Sequence, residues 1–255
     1  MSLRFEPRVA AASLSGESDA DWARTAAPYV GAAFLGGIAI DEPTREAARE
    51  MVERERTEFL PDDPVAFVDR QLATLENVPL VAGFNVRTTS VDPLRSVAAV
   101  CEGRDAVLEV NAHCRQDEMC AVGAGETLLA DTERLCTYVR VAAEVGVPVS
   151  VKVRTEVTGV DLPETARRVV DAGADAVHVD AMDSEAVVAD VAGGVADAEG
   201  ATVIANNGVR DRETVREYLA YGADAVSVGR PSDDPEILER VAEATTSWFT
   251  REAHP

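Results

Sequence analysis

The sequence predicts an α/β protein, a (β/α)8 TIM barrel forming a single domain over residues 1–255, and three observations carry the prediction. Eight short β-branched runs alternate with longer amphipathic stretches, the pattern of repeated β–α units. The runs are almost continuously apolar rather than alternating, as parallel strands covered on both faces require. Finally, "DAGADAVHVD" recurs as "AYGADAVSVG" one or two units later, and no Pro/Gly/Ser-rich linker divides the chain.

The strands expected in order are "RVAAASL" (8–14), "YVGAAFLGGIAI" (29–40), "VPLVAGF" (78–84) and "DAVLEVNA" (105–112), then "VPVSVKV" (147–153), "DAVHVD" (175–180), "ATVIAN" (201–206) and "DAVSVG" (224–229). Helical stretches such as "DPLRSVAAVCEG", "DTERLCTYVRVAAEVG" and "DLPETARRVVDAG" open on Asp or Asp-x-Pro and close on Gly. A carboxylate can cap the free N–H groups of a first turn, and glycine readily takes the left-handed backbone that ends a helix. Residues 41–77, after the second strand, form the longest excursion and predict two helices, placed either over the barrel mouth or against a partner.

Composition narrows the class. Hydrophobic residues make up 46% and aromatics only 5%, so the core must be built from Val, Ala, Leu and Ile. The formal charge is −22, and of the 24 basic residues a single one, Lys152, is lysine. An acidic, lysine-poor surface suits salt adaptation first and a cationic partner second. The same charge opposes nucleic acid unless salt screens it or arginines cluster. No segment reads as a signal peptide or membrane span, and Cys101, Cys114, Cys120 and Cys136 lack a disulfide-framework spacing, so a reducing cytoplasm is expected.

Barrels of this kind carry reactive side chains at the C-terminal ends of their strands. The scarce polar residues fall there: Asn111, His113 and Cys114 after strand 4, Lys152 and Arg154 ending strand 5, and His178 on strand 6. Asn206, Asn207 and Gly208 follow strand 7, and Gly229 and Arg230 follow strand 8. Each has a plain alternative: Cys114 as a small core residue, His178 as a hydrogen-bonded core histidine, "NNG" as a turn. Lys152 resists that treatment, because burying an ammonium without a partner costs several kcal/mol and arginine would serve if only charge mattered. A compact point charge fits a phosphate or an anionic ring. The loops after strands 7 and 8 form the usual phosphate cup, so a phosphorylated ligand is expected. His113, Cys114 and Cys120 match no common zinc spacing, and no metal is expected.

These residues also resemble a known family. "VNAHCRQDEMCAVGAGETLL" is similar, without a gap, to the tRNA-dihydrouridine synthase pattern N-x-G-C-P followed by G-x-G-x-x-L-L. "VSVKVR" resembles that family's V-K-x-R strand, "VIANNGV" its V-I-A-N-G-D-I, "GADAVSVGR" its G-A-D-x-V-x-x-G-R, and "SLSGESD" its P-M-A-G-x-T-D. All but the first are shared with other FMN barrels, including dihydroorotate dehydrogenases. The resemblance implies FMN, hydride transfer to C6 of a uracil-like ring, NADPH or NADH as electron donor, and Cys114 as the acid that protonates C5. It implies that Asn111 orients the pyrimidine; His113 and Arg115, beside it in the same loop, are expected as substrate contacts. Lys152 and His178 correspond to residues at the isoalloxazine, Ser13 and Leu14 to residues beneath it, and Asn206, Asn207, Gly208, Gly229 and Arg230 to the phosphate cradle. Asn85 stands in for the family's strand-3 glutamine.

The departures lie mainly on the substrate side. His113 replaces the family's Gly, Arg115 its Pro, "HVDAMD" its His-Gly-Arg segment, and Pro231 cannot donate an N–H to a phosphate. The chain ends soon after its eighth expected helix, without the family's C-terminal helical domain. The substrate is therefore left between tRNA and a small pyrimidine-like molecule, and a homo-oligomer is left open. Two other classes stay in play: a non-redox phosphate-binding barrel (an isomerase, or an aldolase with Lys152 as Schiff-base amine) and a flavin binder without turnover.

Overall fold

The eight expected strands all form, and they close on one another. In the computed structural model, which describes residues 3–196 and 201–252, parallel strands β1 (Val9–Ala11), β2 (Ala32–Ala39), β3 (Val81–Arg87), β4 (Val107–Ala112), β5 (Val149–Arg154), β6 (Ala176–Asp180), β7 (Thr202–Asn206) and β8 (Ala225–Val228) make a closed barrel in sequence order. The protein is a (β/α)8 TIM barrel. The strand bounds shift by up to three residues from those read in the sequence, and two strand ends bear on the site. β3 runs on to Arg87, because Asn85 and Arg87, which look like loop residues, point into the barrel and are buried there. β1 stops at Ala11, and Ser18 binds the turn that follows: its hydroxyl accepts from Leu14 N at 2.7 Å and donates to Leu14 O at 2.8 Å.

Among the helices, α1 (Ala20–Ala26), α2 (Glu42–Glu53), α3 (Pro64–Leu75), α7 (Thr132–Ala143), α8 (Leu162–Asp171) and α10 (Arg212–Ala220) each start at an aspartate whose side chain accepts a first-turn N–H: Asp19, Asp41, Asp63, Asp131, Asp161 and Asp211. Each cap contributes about 1 kcal/mol. The remaining helices are α4 (Val91–Gly103), the short α5 (Asp117–Ala121) and α6 (Glu126–Ala130), α9 (Val187–Val195) and α11 (Pro235–Glu252). Among the described residues no helix is long and apolar enough to cross a membrane. Cys101 and Cys136 are buried packing residues on α4 and α7.

The excursion at 41–77 serves two places. α3 packs outside the barrel against α1 and α4, as an ordinary crossover helix does. α2 lies over the mouth: Ala47, Ala48 and Met51 pack on Ala39 of β2 and Met119 of α5, with Leu60, Cys114 and Val122 at the edge of that cluster. The link between α2 and α3 carries Arg56 and Glu58 to the rim.

The barrel interior is layered. In-register neighbours of parallel strands face the same side, which stacks Ala10, Phe34, Val107, Ala176, Ile204 and Ala225 as an apolar plug at the N-terminal end, closed by Leu3 and Phe5. Above it the register sets Asn85 beside Glu109 and Ser150, and Asn111 beside Lys152 and His178. This polar layer is a floor beneath the open, C-terminal end of the barrel.

Candidate active site at the C-terminal end of the barrel

A cavity of about 730 Å³ opens at the C-terminal ends of the strands, where this fold places its chemistry. Its lining includes Arg56, Arg87, Arg115, Lys152, Arg154, Arg210 and Arg230, against a single acidic residue, Asp180. In a chain of formal charge −22 that concentration of cations makes the cavity locally positive. Three of the arginines have carboxylate partners: Arg87 pairs with Glu58 at 2.7 Å, Arg154 with Glu126 at 2.6 Å, and Arg210 with Asp211 at 3.8 Å. Lys152 has none. It is 2% exposed, and among the described residues nothing forms a hydrogen bond or ion pair with its ammonium, which acts on Glu109 and His113 only through space.

Cys114 sits in a loop that the following residues fold back to hold. The Asn111 side-chain oxygen accepts the backbone N–H of Cys114 at 3.1 Å and of His113 at 3.4 Å. The Cys114 carbonyl accepts the N–H of Glu126 at 2.9 Å and the Cys120 thiol at 3.6 Å. Gly125 has φ +59°, and a Cβ there would lie 2.1 Å from the Cys114 carbonyl oxygen. That close approach accounts for the fixed spacing from Asn111 to the glycine pair: the second glycine is the surface on which the cysteine turn rests. Cys114 itself is half-buried and lines the cavity.

His113 lines the cavity beside it, with a buried Nδ1 that has no hydrogen-bond partner. Burial, reinforced by the charges of Lys152, Arg87 and Arg154, holds its pKa well below the usual histidine range, so the ring is neutral at pH 7.

Below the floor lies a continuous hydrogen-bond network. Glu109, fully buried, accepts from Asn85 Nδ2 at 2.8 Å, Ser150 Oγ at 3.0 Å and His178 Nδ1 at 2.7 Å. The second nitrogen of His178 meets Ser227 Oγ at 2.7 Å, and Ser227 Oγ accepts from Asn206 Nδ2 at 2.7 Å. Asn111 Nδ2 donates to Asn85 Oδ1 at 2.8 Å. Burial opposes ionisation of Glu109, but His178, Lys152 and the Asn85 amide outweigh it and its pKa is lowered. Burial, with Lys152 adding to it, lowers the pKa of His178.

At the far rim, Asn207 and Gly208 take φ of +90° and +70°, turning the chain sharply after β7, and Tyr218 fixes the turn by donating to the Asn207 carbonyl at 2.8 Å. Gly229 leads into a single 3-10 turn, Arg230–Asp233. The other wall holds Ser13, Leu14 and Ser15, and Arg87 donates to the Ser15 hydroxyl.

The structure thus brings Ser13, Leu14, Asn111, His113, Cys114, Arg115, Lys152, Asn206, Asn207, Gly208, Gly229 and Arg230 to one cavity. Asn85 and His178 stand apart from them. Both are fully buried and absent from the lining, their polar atoms engaged with Glu109, Asn111 and Ser227. They support the floor rather than form its surface. Sequence reasoning passed over Glu109, Ser150, Ser227 and the Arg87–Glu58 pair. The available signal was a lone charged residue inside a β-branched run, "VLEVN", the same signal that singled out Lys152.

Comparison with known proteins agrees with this architecture. An uncharacterized protein of Methanocaldococcus jannaschii, MJ0144, is 25% identical over 239 residues, covering 89% of this chain and 90% of its own length. Among solved structures, a mandelate oxidase mutant with a monooxide FMN adduct superposes with a TM-score of 0.61 at 16% identity, covering 95% of this chain and 74% of that one. A tryptophan synthase complex from Pyrococcus furiosus gives 0.58 at 15% identity, covering 96% and 100%. At those identities the structures speak for the barrel alone. The profile of the dihydrouridine synthase family matches residues 81–254, from β3 through the Cys114 loop, Lys152 and both halves of the cup. The chain belongs to the dihydrouridine synthase family.

Proposed function

We propose that the protein is an FMN-dependent oxidoreductase that reduces a uracil-like ring, with Cys114 giving the proton to ring carbon C5. The observation that carries this reading is Lys152, a buried side chain whose ammonium faces the cavity and lacks a partner among the described residues. Such a charge calls for an anionic or electron-rich occupant. FMN fits on several counts. Its phosphate matches the Asn207–Gly208 turn and Arg230, its ring matches the Lys152 wall, and about 730 Å³ is an ordinary volume for a cofactor and substrate together. When bound, FMN supplies the hydride that C6 of the ring accepts, with NADPH or NADH as the source of electrons.

The residues of the chain do the rest. Lys152 is the counter-charge of the isoalloxazine, Ser13 and Leu14 form the wall beneath it, and Asn206, Asn207, Gly208, Gly229 and Arg230 hold the phosphate. Asn111 seats the Cys114 turn and orients the pyrimidine. Cys114 delivers its proton and regains one from solvent, to which it is partly open. His113, a neutral ring on the cavity wall, and Arg115 are the substrate contacts; a cationic rim suits a phosphate-bearing substrate, whether a nucleotide or RNA. Asn85 and His178 act through Asn111 and Glu109, not by contact.

The test is anaerobic reoxidation of the reduced, FMN-loaded protein by uracil-bearing RNA, a uridine nucleotide or free uracil. Wild-type protein is expected to be reoxidised by at least one of them, and Cys114→Ala to be slower by about 100-fold or more with FMN still bound. Equal rates in the two proteins would remove Cys114 from the reaction. Borohydride trapping of a carbonyl substrate on Lys152 would favour the Schiff-base reading instead.

A further inference from the structure

The polar floor of the barrel has a direction, and Glu109 sets it. An ionised carboxylate can only accept hydrogen bonds, and Glu109 is fully buried in contact with three donors. On one side Asn85 must therefore turn its Nδ2 to Glu109, 2.8 Å away, which leaves its Oδ1 to accept the Asn111 Nδ2 at 2.8 Å. Asn111, whose oxygen accepts the N–H groups of His113 and Cys114, is thereby held in the same sense from both ends. On the other side His178 must carry a proton on Nδ1; in the neutral ring Nε2 then accepts the Ser227 hydroxyl at 2.7 Å, a closer acceptor for it than the Ala205 carbonyl at 3.5 Å. The Ser227 oxygen in turn accepts the Asn206 Nδ2, also at 2.7 Å, and the Ser227 backbone carbonyl accepts the same amide at 3.2 Å, so the Asn206 Oδ1 is turned away from Ser227. Both amides reached at the ends of the chain line the cavity.

We infer that Glu109 is the positioning residue of this site: its carboxylate holds Asn85, and through it braces the Asn111 amide that seats Cys114, and on the other side it fixes the tautomer of His178 and with it the Ser227 hydroxyl. The catalytic consequence rests on the reading of Cys114 as proton donor; the polarity of the network does not. Glu109 touches neither the cavity nor Cys114, and acts only through its neighbours.

The geometry supplies a test that separates direction from packing. Glu109→Gln preserves shape but sets an N–H against either Asn85 Nδ2 or His178 Nδ1, so that one arm must reverse. Adding Asn85→Asp moves the carboxylate across the 2.8 Å contact. The new amide at position 109 can then donate to the new carboxylate at position 85, which still accepts from Asn111. The amide oxygen at position 109 still accepts from His178 and Ser150. Charge is kept, and so is every direction except that of the 85–109 bond itself, which reverses. The measurements are the tautomer of His178 by nitrogen NMR in the full-length protein, thermal stability, and turnover of the FMN-loaded protein.

Wild type is expected to show the proton on Nδ1. Glu109→Gln is expected to shift it to Nε2 or to move the Asn85 and Asn111 amide signals, to lower the melting temperature, and to lower kcat by about 10- to 100-fold with little change in KM. The double variant is expected to regain the Nδ1 tautomer, the melting temperature and most of the turnover. A wild-type His178 protonated on Nε2, a Glu109→Gln protein with unchanged turnover and tautomer, or a double variant no better than the single would overturn the inference. If Glu109→Gln fails to fold, the double variant decides alone: folded with the Nδ1 tautomer supports it, unfolded refutes it. If wild type reduces no uracil substrate, the functional reading has failed, and tautomer and melting temperature still decide this one.

Discussion

Arg87 and Glu58 form an ion pair whose side chains are 2% and 1% exposed, at a point where the α2–α3 link crosses the rim. Removing one member of such a pair strands the other charge, so Glu58→Gln is expected to destabilise the fold by about 3 kcal/mol. Glu58→Gln with Arg87→Met should recover much of that loss, and paired denaturation curves check it. What could be read from the sequence at this scale depended on rarity. Lys152 stood out because it is one lysine among 24 basic residues, set in an apolar strand. Glu109 occupies an equally apolar strand but is one of 46 acidic residues, so its presence carried little information until its burial and its three donors were seen. His178 was legible as a site residue by strand position and Asn85 only through the family's strand-3 glutamine, yet their depth was not, because which layer an inward side chain occupies depends on barrel register between strands far apart in sequence.

The segment from Asn111 to Leu129 works as one element because Gly125 touches the Cys114 carbonyl. Gly125→Ala meets both a steric conflict and a φ of +59°, and is expected to cost about 2–4 kcal/mol while displacing the cysteine turn. A lowered melting temperature together with an altered rate of Cys114 modification by a thiol reagent would show it; unchanged values of both would refute the contact. At this scale the sequence was most informative. Aspartate caps announced helix starts, and residues 41–77 were expected as two helices, which is what α2 and α3 are. Their division between mouth and outer wall was not legible, since it depends on Met51 finding Met119 across the barrel end.

Over the whole molecule, two fields compete: a surface of net charge −22 and a cationic cavity within it. Screening shortens the reach of surface repulsion from about 10 Å at 0.1 M salt to about 3 Å at 1 M, so the melting temperature is expected to rise over that range; a flat or falling response would count against self-repulsion as a significant load. Acid should act in the opposite sense. His113 and His178 have folded pKa values below the ordinary 6.5, so below that pH the unfolded chain binds protons that the folded one refuses. Their contribution is complete above about pH 6.5 and declines as pH falls. Glu109, also lowered, adds a further loss below its ordinary value of 4.5. Urea denaturation at pH 7.5, 6 and 5 should show stability falling in that order.

Everything proposed for the cavity depends on Lys152 facing a flavin. An FMN titration followed by visible absorbance, on wild type and Lys152→Met in high salt, puts that pairing to the test. One FMN per chain is expected in wild type, with binding at least about tenfold weaker in the variant, a difference of about 1.4 kcal/mol or more. A wild-type protein that takes up no FMN, or two proteins that bind it equally, would overturn the assignment of Lys152 as the flavin's counter-charge.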